Sequence, residues 1–124
     1  MSPKQAVNKQ EKLKDSREFK EIYARGHRLS GPHLTIHHKP NHLQINRLGL
    51  STSKKQFKLS VQRHYIQRCL REAYRLNKDR FLPGHDIVIS ARRWEKGKLH
   101  FREIKDELLF LAQKAKLLKA EYGQ

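Results

Sequence analysis

Acidic residues are scarce: 12 Asp and Glu stand against 28 Lys and Arg, a formal net charge of +16. Such an excess repels itself in the compact state, so an acidic partner is expected to offset it. Nucleic acid is the commonest partner of that kind, and an anionic membrane surface is the next. Cysteine is nearly missing too. The lone Cys69 leaves no intramolecular disulfide framework and suits a reducing compartment. No run approaches the ~18 consecutive apolar residues of a membrane span. Met1 to Lys12 has neither the apolar stretch of a secretory signal nor the arginines of a transit peptide. The expectation is a soluble, cytoplasmic protein with no membrane partner. No serine carries the flanking glycines of a nucleophile elbow, and no glycine-rich phosphate loop occurs. The chain offers no hydrolase constellation of its own.

What is present fits one small domain: 124 residues, 36% of them apolar, can support one modest core. Residues 1–12, rich in Lys and Gln, read as a flexible basic arm, and residues 13–122 as the domain. Asp15 followed by Glu18 has the form of a capping box, Phe19, Ile22 and Tyr23 share a helical face, and Gly26 is a stop. A helix from about Ser16 to Arg25 follows. Leu34 and Ile36 alternate with polar neighbours as a half-buried strand does, and Pro40-Asn41 marks a turn. A second strand spans about Ile45 to Thr52, with Leu48 and Leu50 on one face. Helical periodicity returns from Leu59 to Leu76, where Ile66, Cys69, Leu70 and Ala73 form the apolar stripe. Pro83-Gly84 precedes Asp86 to Ala91, whose Ile87-Val88-Ile89 run suits a strand buried on both faces. A last helix is expected from Phe101 to Glu121. Its apolar stripe is Phe101, Ile104, Leu108, Leu111, Ala115, Leu118 and Tyr122, read as a core face in preference to a coiled-coil seam. The order of elements predicts an α/β protein, an α+β sandwich with helices packed on one small sheet.

The densest functional signal runs from Arg47 to Asn77. Lys54, Lys55, Lys58, Arg63, Arg68, Arg71 and Arg75 fall within it, opposed mainly by Glu72. A solvated helix face usually mixes both signs; this one is almost purely positive. Arginine grips phosphate with a planar fork, lysine supplies a mobile point charge, and Ser51, Thr52 and Ser53 add hydroxyl donors at a strand end. His33, His37, His38 and His42 resemble a metal cluster, but on a strand His33 and His37 lie ~13 Å apart and His38 points the other way. No metal is therefore expected there, and Cys69, between Ile66 and Ala73 on one helical face, is expected in the core.

These residues resemble the protein subunit of bacterial ribonuclease P. Four segments carry the resemblance: Leu13 to Phe19, Arg47 to Lys55 (Arg-Leu-Gly-Leu-Ser-Thr-Ser-Lys-Lys), Val61 to Glu72, and Leu82 to Arg92, which opens Leu-Pro-Gly-His-Asp. The third sits where the family has its arginine-rich signature helix and keeps Val61, Arg63, Ile66, Arg68, Leu70, Arg71 and Glu72. It departs at His64, Tyr65 and Gln67, where the family usually has Asn, Arg and Lys.

The resemblance implies about four strands in a mixed sheet and three helices, ribosomal-protein-S5-domain-2-like, with a left-handed βαβ crossover. It implies an RNA subunit that holds the catalytic magnesium ions and cuts the 5′ leader from precursor tRNA. The protein then has no catalytic residue and binds no cofactor. It contacts ribonuclease P RNA through Arg47, Ser51, Ser53, Lys54, Lys55, Lys58, Arg63, His64, Gln67, Arg68, Arg71 and Arg75. It holds the leader in a cleft between the first helix and the sheet, with Phe19 and Tyr23 as walls and Leu34 and Ile36 as floor. It is expected to be monomeric within the particle. A non-catalytic RNA-binding module on the same scaffold, ribosome-associated or an RNA chaperone, remains the alternative, kept open by the three departures.

Overall fold

Asp15 opens the first helix, α1 (Ser16–Arg25), with a complete capping box. Its carboxylate accepts the Arg17 N–H at 2.9 Å, and Glu18 reaches back to the Asp15 N–H. That backbone bond, with the Arg17 guanidinium, holds the Asp15 carboxyl below the ordinary carboxylate range. The helix stops at Gly26 for reasons of contact. Its backbone is extended (φ −81°), but a Cβ there would stand 2.5 Å from the Ile22 carbonyl oxygen and 2.7 Å from that of His38. Only glycine lets the helix end lie so close to the sheet.

The computed structural model describes residues 9–92 and 100–119. After α1 come β1 (His27–Ser30), β2 (Leu34–Pro40), β3 (Arg47–Thr52), α2 (Ser60–Asn77), β4 (His85–Ala91) and α3 (Phe101–Lys114). The four strands form one mixed sheet in the order β1-β2-β4-β3. β1 and β2, and β2 and β4, pair antiparallel; β3 pairs parallel with β4, joined by α2 as a crossover.

Alternation assigns the two faces. Leu34 and Ile36 of β2, Leu48 of β3 and Ile87, Ile89 and Ala91 of β4 point to one side, where they meet Ile66, Leu70 and Ala73 of α2 and Ile104, Leu108 and Leu111 of α3. This is the main core and the α+β sandwich proper. Val88 points the other way and packs with Leu13 and Ile22, with Phe19 against them, so α1 lies on the opposite face. Ile87, Val88 and Ile89 are all but sealed, as a strand buried on both faces must be.

Two expectations are corrected. The last helix ends at Lys114, well short of Glu121. Lys116 takes φ 61°, the Lys116 N–H bonds to the Gln113 carbonyl at 3.0 Å, and the Leu117 N–H bonds to that of Ala112 at 2.9 Å. That is a Schellman stop with lysine at the left-handed position, where glycine is the usual signal. The chain turns back, Leu118 bridges to Phe81, and Tyr122 lies outside the described residues. Second, the arm does not run freely to residue 12. Lys9–Glu11 form a 3-10 turn, Lys12 bridges in parallel to Leu48, and the Leu13 N–H bonds to the Leu48 carbonyl at 2.9 Å. Residues 1–8 lie outside the described residues.

Candidate nucleic-acid interface

The basic surface is built where β3 ends and α2 begins. The Ser53 hydroxyl accepts the Lys55 N–H at 3.0 Å, and the Phe57 N–H bonds to the Ser53 carbonyl at 2.8 Å. The Phe57 ring is buried at the end of this turn, which leaves Lys54, Lys55 and Lys58 facing solvent. Arg63 donates to the Phe57 carbonyl at 2.6 Å and to the Lys58 carbonyl at 3.2 Å, so it braces the turn from the helix. Gln67 donates to the Thr52 hydroxyl at 2.8 Å and ties α2 to the end of β3. On the outer face of α2, His64, Arg68 and Arg71 are exposed. Among the described residues, none of the ion pairs engages Lys54, Lys55, Lys58, Arg68 or Arg71.

Not every expected cation is available. Arg47 is a clamp: its Nε and Nη2 donate to Asp86 at 2.8 and 2.7 Å, and its Nη1 donates to Glu18 at 2.7 Å. The bonds to Asp86 hold the guanidinium charged, its pKa raised above the ordinary value. Arg47 therefore ties α1 to the sheet and is not a free phosphate ligand, a correction to its expected role. Arg75 is similarly paired with Glu72 one turn earlier, and that pairing lowers the Glu72 pKa. Ser51 is half-buried and Ser53 exposed.

The face against α1 holds a second correction. Phe19 and Tyr23 stand together on α1, their ring centroids 6.5 Å apart. Leu34 and Ile36 do not line this face, because both are wholly buried in the main core beneath α2 and α3. The residues of β2 that face α1 are the alternate row, Thr35, His37 and Lys39. His37 meets Tyr23 edge-on at 4.8 Å between centroids. Gly49 completes the floor: a Cβ there would lie 2.5 Å from the Phe19 ring, so the ring rests on bare backbone.

A groove runs along the free edge of β3, between α1 on one face and α2 on the other. Leu13, Phe19, Leu48, Gly49 and Leu50 supply its apolar lining, and Lys12, Lys14, Gln67 and Arg71 its polar rim. Neither lysine is expected at the interface from the sequence: Lys12 reads as the end of the basic arm, and Lys14 as part of the Leu13 to Phe19 segment with no contact role. The signal was present, because Lys12-Leu13-Lys14 has the period-two alternation of a strand edge.

The histidines separate as strand geometry demands. His33 bonds to Glu107, while His37 faces α1 and His38 stacks against His27 on the other side. Among the described residues no group of three or more His, Cys, Asp or Glu side chains is placed to hold a metal ion. Burial first, and then Arg28, lowers the His37 pKa; burial, and then His27, His85 and His37, lowers that of His38. A folded pKa below the unfolded value near 6.5 means the unfolded chain binds more protons. Stability is then whole above about pH 6.5 and is lost as pH falls through the folded values. Thermal unfolding followed by circular dichroism is expected to show a falling Tm between about pH 7 and about pH 5, with a shallower fall in His38→Gln. A Tm that His38→Gln leaves equally steep would remove His38 from the effect.

A mixed α+β sheet whose crossover helix and preceding turn present unpaired cations defines a polyanion-binding protein. The ribonuclease P family profile matches residues 7–116. The ribonuclease P protein component of Lachnoclostridium phytofermentans is 43% identical over 110 residues, covering 89% of this chain and 93% of its own. That of Clostridium botulinum is 38% identical over 108 residues, covering 86% and 96%. Among solved structures, the ribonuclease P protein of Staphylococcus aureus superposes with a TM-score of 0.79 at 27% identity over 88% of this chain and 98% of its own. That of Thermotoga maritima gives 0.75 at 29% identity, over 82% and 94%. The chain belongs to the ribonuclease P protein family. It is accordingly a component of an endoribonuclease ribonucleoprotein of tRNA processing, and ribonuclease P RNA is its partner. None of its described helices is long and apolar enough to cross a membrane.

Proposed function

We propose that the protein grips ribonuclease P RNA with the turn bearing Lys54, Lys55 and Lys58 and with the outer face of α2, and holds the precursor-tRNA 5′ leader against α1. The observation that carries this reading is the set of exposed cations free of ion pairs, Lys54, Lys55, Lys58, Arg68 and Arg71, displayed on a braced turn and one helix face. Exposed charges in a row repel one another, and phosphates relieve that repulsion. Gln67 and Arg63 act from behind by fixing the turn, and His64 adds a hydrogen-bonding ring beside Arg68. Phe19 and Tyr23 offer ring surface on which single-stranded bases stack.

In this reading the RNA carries the catalysis and its magnesium, while the protein supplies charge, hydrogen bonds and stacking surface. It acts as a single copy in the particle, in the cytoplasm. The test is reconstitution with the ribonuclease P RNA of the same genome. At a magnesium concentration too low for the RNA alone, adding the protein is expected to restore 5′ cleavage of a precursor tRNA. No restoration at any magnesium or salt concentration would overturn the assignment. Recovery of ribosomal RNA in place of ribonuclease P RNA from pull-downs would favour the non-catalytic binding module.

A further inference from the structure

The segment before α1 is fastened by a buried ion pair. Glu11 is only 6% exposed, and Lys78, just past the end of α2, places its Nζ 2.8 Å from each Glu11 carboxylate oxygen. Tyr74 packs in the same place, its phenol pushed up to about 12 by burial and by the Glu11 charge. Directly after Glu11, Lys12 bridges to Leu48 and the Leu13 N–H bonds to the Leu48 carbonyl, while the Leu13 side chain is buried with Ile22 and Val88. Residues 9–14 thus form a strap over the free edge of β3, tied at Glu11 by charge and at Leu13 by a backbone bond and apolar packing. Between and beyond these ties, Lys12 and Lys14 are exposed on the rim of the groove that Arg71, Gln67 and Phe19 also line.

We propose that Glu11 is a positioning residue: its ion pair with Lys78 holds the strap so that Lys12 and Lys14 bind RNA phosphate across the groove from Arg71. This rests on the RNA-binding role proposed above and extends the surface to a segment on the far side of the β3 edge. A groove with ring and aliphatic lining and cations on both rims fits single-stranded RNA, whose bases stack while its backbone follows the charge. A negative residue within a basic segment works against RNA binding by its own charge. Sealed against Lys78, Glu11 adds no negative charge to the groove and fixes where its neighbours stand.

The test is a mutant cycle on the full-length protein, read by binding of the ribonuclease P RNA of the same genome across a salt series. Lys12→Gln with Lys14→Gln is expected to weaken binding and to lower the log–log salt slope by roughly 0.7–0.9 per lost phosphate contact. Glu11→Gln is expected to weaken binding too, although it makes the protein more positive. In the Glu11→Gln background the two lysine substitutions are expected to cost less than in the wild type, because the strap is already released. The reversed pair, Glu11→Lys with Lys78→Glu, is expected to restore the full lysine effect. Thermal unfolding of each variant separates release of the strap from loss of the fold. Two outcomes overturn the proposal: an unchanged slope in the double lysine variant, or a lysine effect of equal size with and without Glu11. If Arg68→Ala with Arg71→Ala also leaves binding unchanged, the RNA-binding reading falls as well. If that pair weakens binding and the lysine pair does not, the strap proposal alone fails.

Discussion

Asp86→Ala is expected to destabilise the protein by about 3 kcal/mol, the low end for breaking one side of a buried ion pair. Asp86 is 5% exposed and accepts from Arg47 Nε at 2.8 Å, Arg47 Nη2 at 2.7 Å and Asn41 Nδ2 at 3.0 Å. Alanine removes all of these acceptors and leaves the guanidinium with Glu18 alone. The low end applies because the Arg47 side chain is 26% exposed, so water recovers part of the loss. Measured by urea unfolding, the midpoint should fall with little change in slope, and Tm should drop by roughly 10 °C. Asp86→Asn, with one acceptor and no charge, should lie between. Adding Arg47→Met to Asp86→Ala should cost less than the sum of the single substitutions, because no buried charge is then left unpaired. Additive costs would show that Arg47 and Asp86 do not act as a pair.

That clamp also marks where sequence reasoning reached its limit. Arg47 sits in the basic stretch and looks like its neighbours; its carboxylate partners lie 29 and 39 residues away, so only the folded chain shows that it is spent. Signals that act locally were legible. The Asp15–Glu18 box sets the start of α1, the Ile66, Cys69, Leu70 and Ala73 stripe sets the buried face of α2, and the Ile87-Val88-Ile89 run sets the sealed middle strand. β1 was not legible, because His-Arg-Leu-Ser has one apolar residue and owes its strand form to pairing with β2. The end of α3 was hidden by a lysine in a left-handed stop. Leu34 and Ile36 were recognised as one face of a strand, but a sheet with helices on both sides has two candidate faces. The choice belongs to the larger core, which claims both residues. The polar row left over, Thr35, His37 and Lys39, is what faces α1.

Arg68→Ala with Arg71→Ala is expected to weaken RNA binding roughly 20-fold at about 0.15 M salt, with the log–log salt slope shallower by about 1.4–1.8. The estimate follows from counterion release. Each phosphate contact adds about 0.8 to the slope, which at ~0.15 M salt is worth roughly fivefold, and two contacts multiply. Both side chains are exposed on the outer face of α2, opposite Ile66, Leu70 and Ala73, so stability should stay within about 0.5 kcal/mol of the wild type. Arg68→Lys with Arg71→Lys separates charge from geometry. It should restore most of the slope, because each ammonium still displaces a counterion. It should recover less of the affinity if the arginines grip phosphate with both arms of the fork. Arg71 stands at the groove as well as on the helix face, so Arg71→Ala alone should reduce the effect of Lys12→Gln with Lys14→Gln, whereas Arg68→Ala alone should not. A slope unchanged in the double alanine variant would remove the outer face of α2 from the RNA interface.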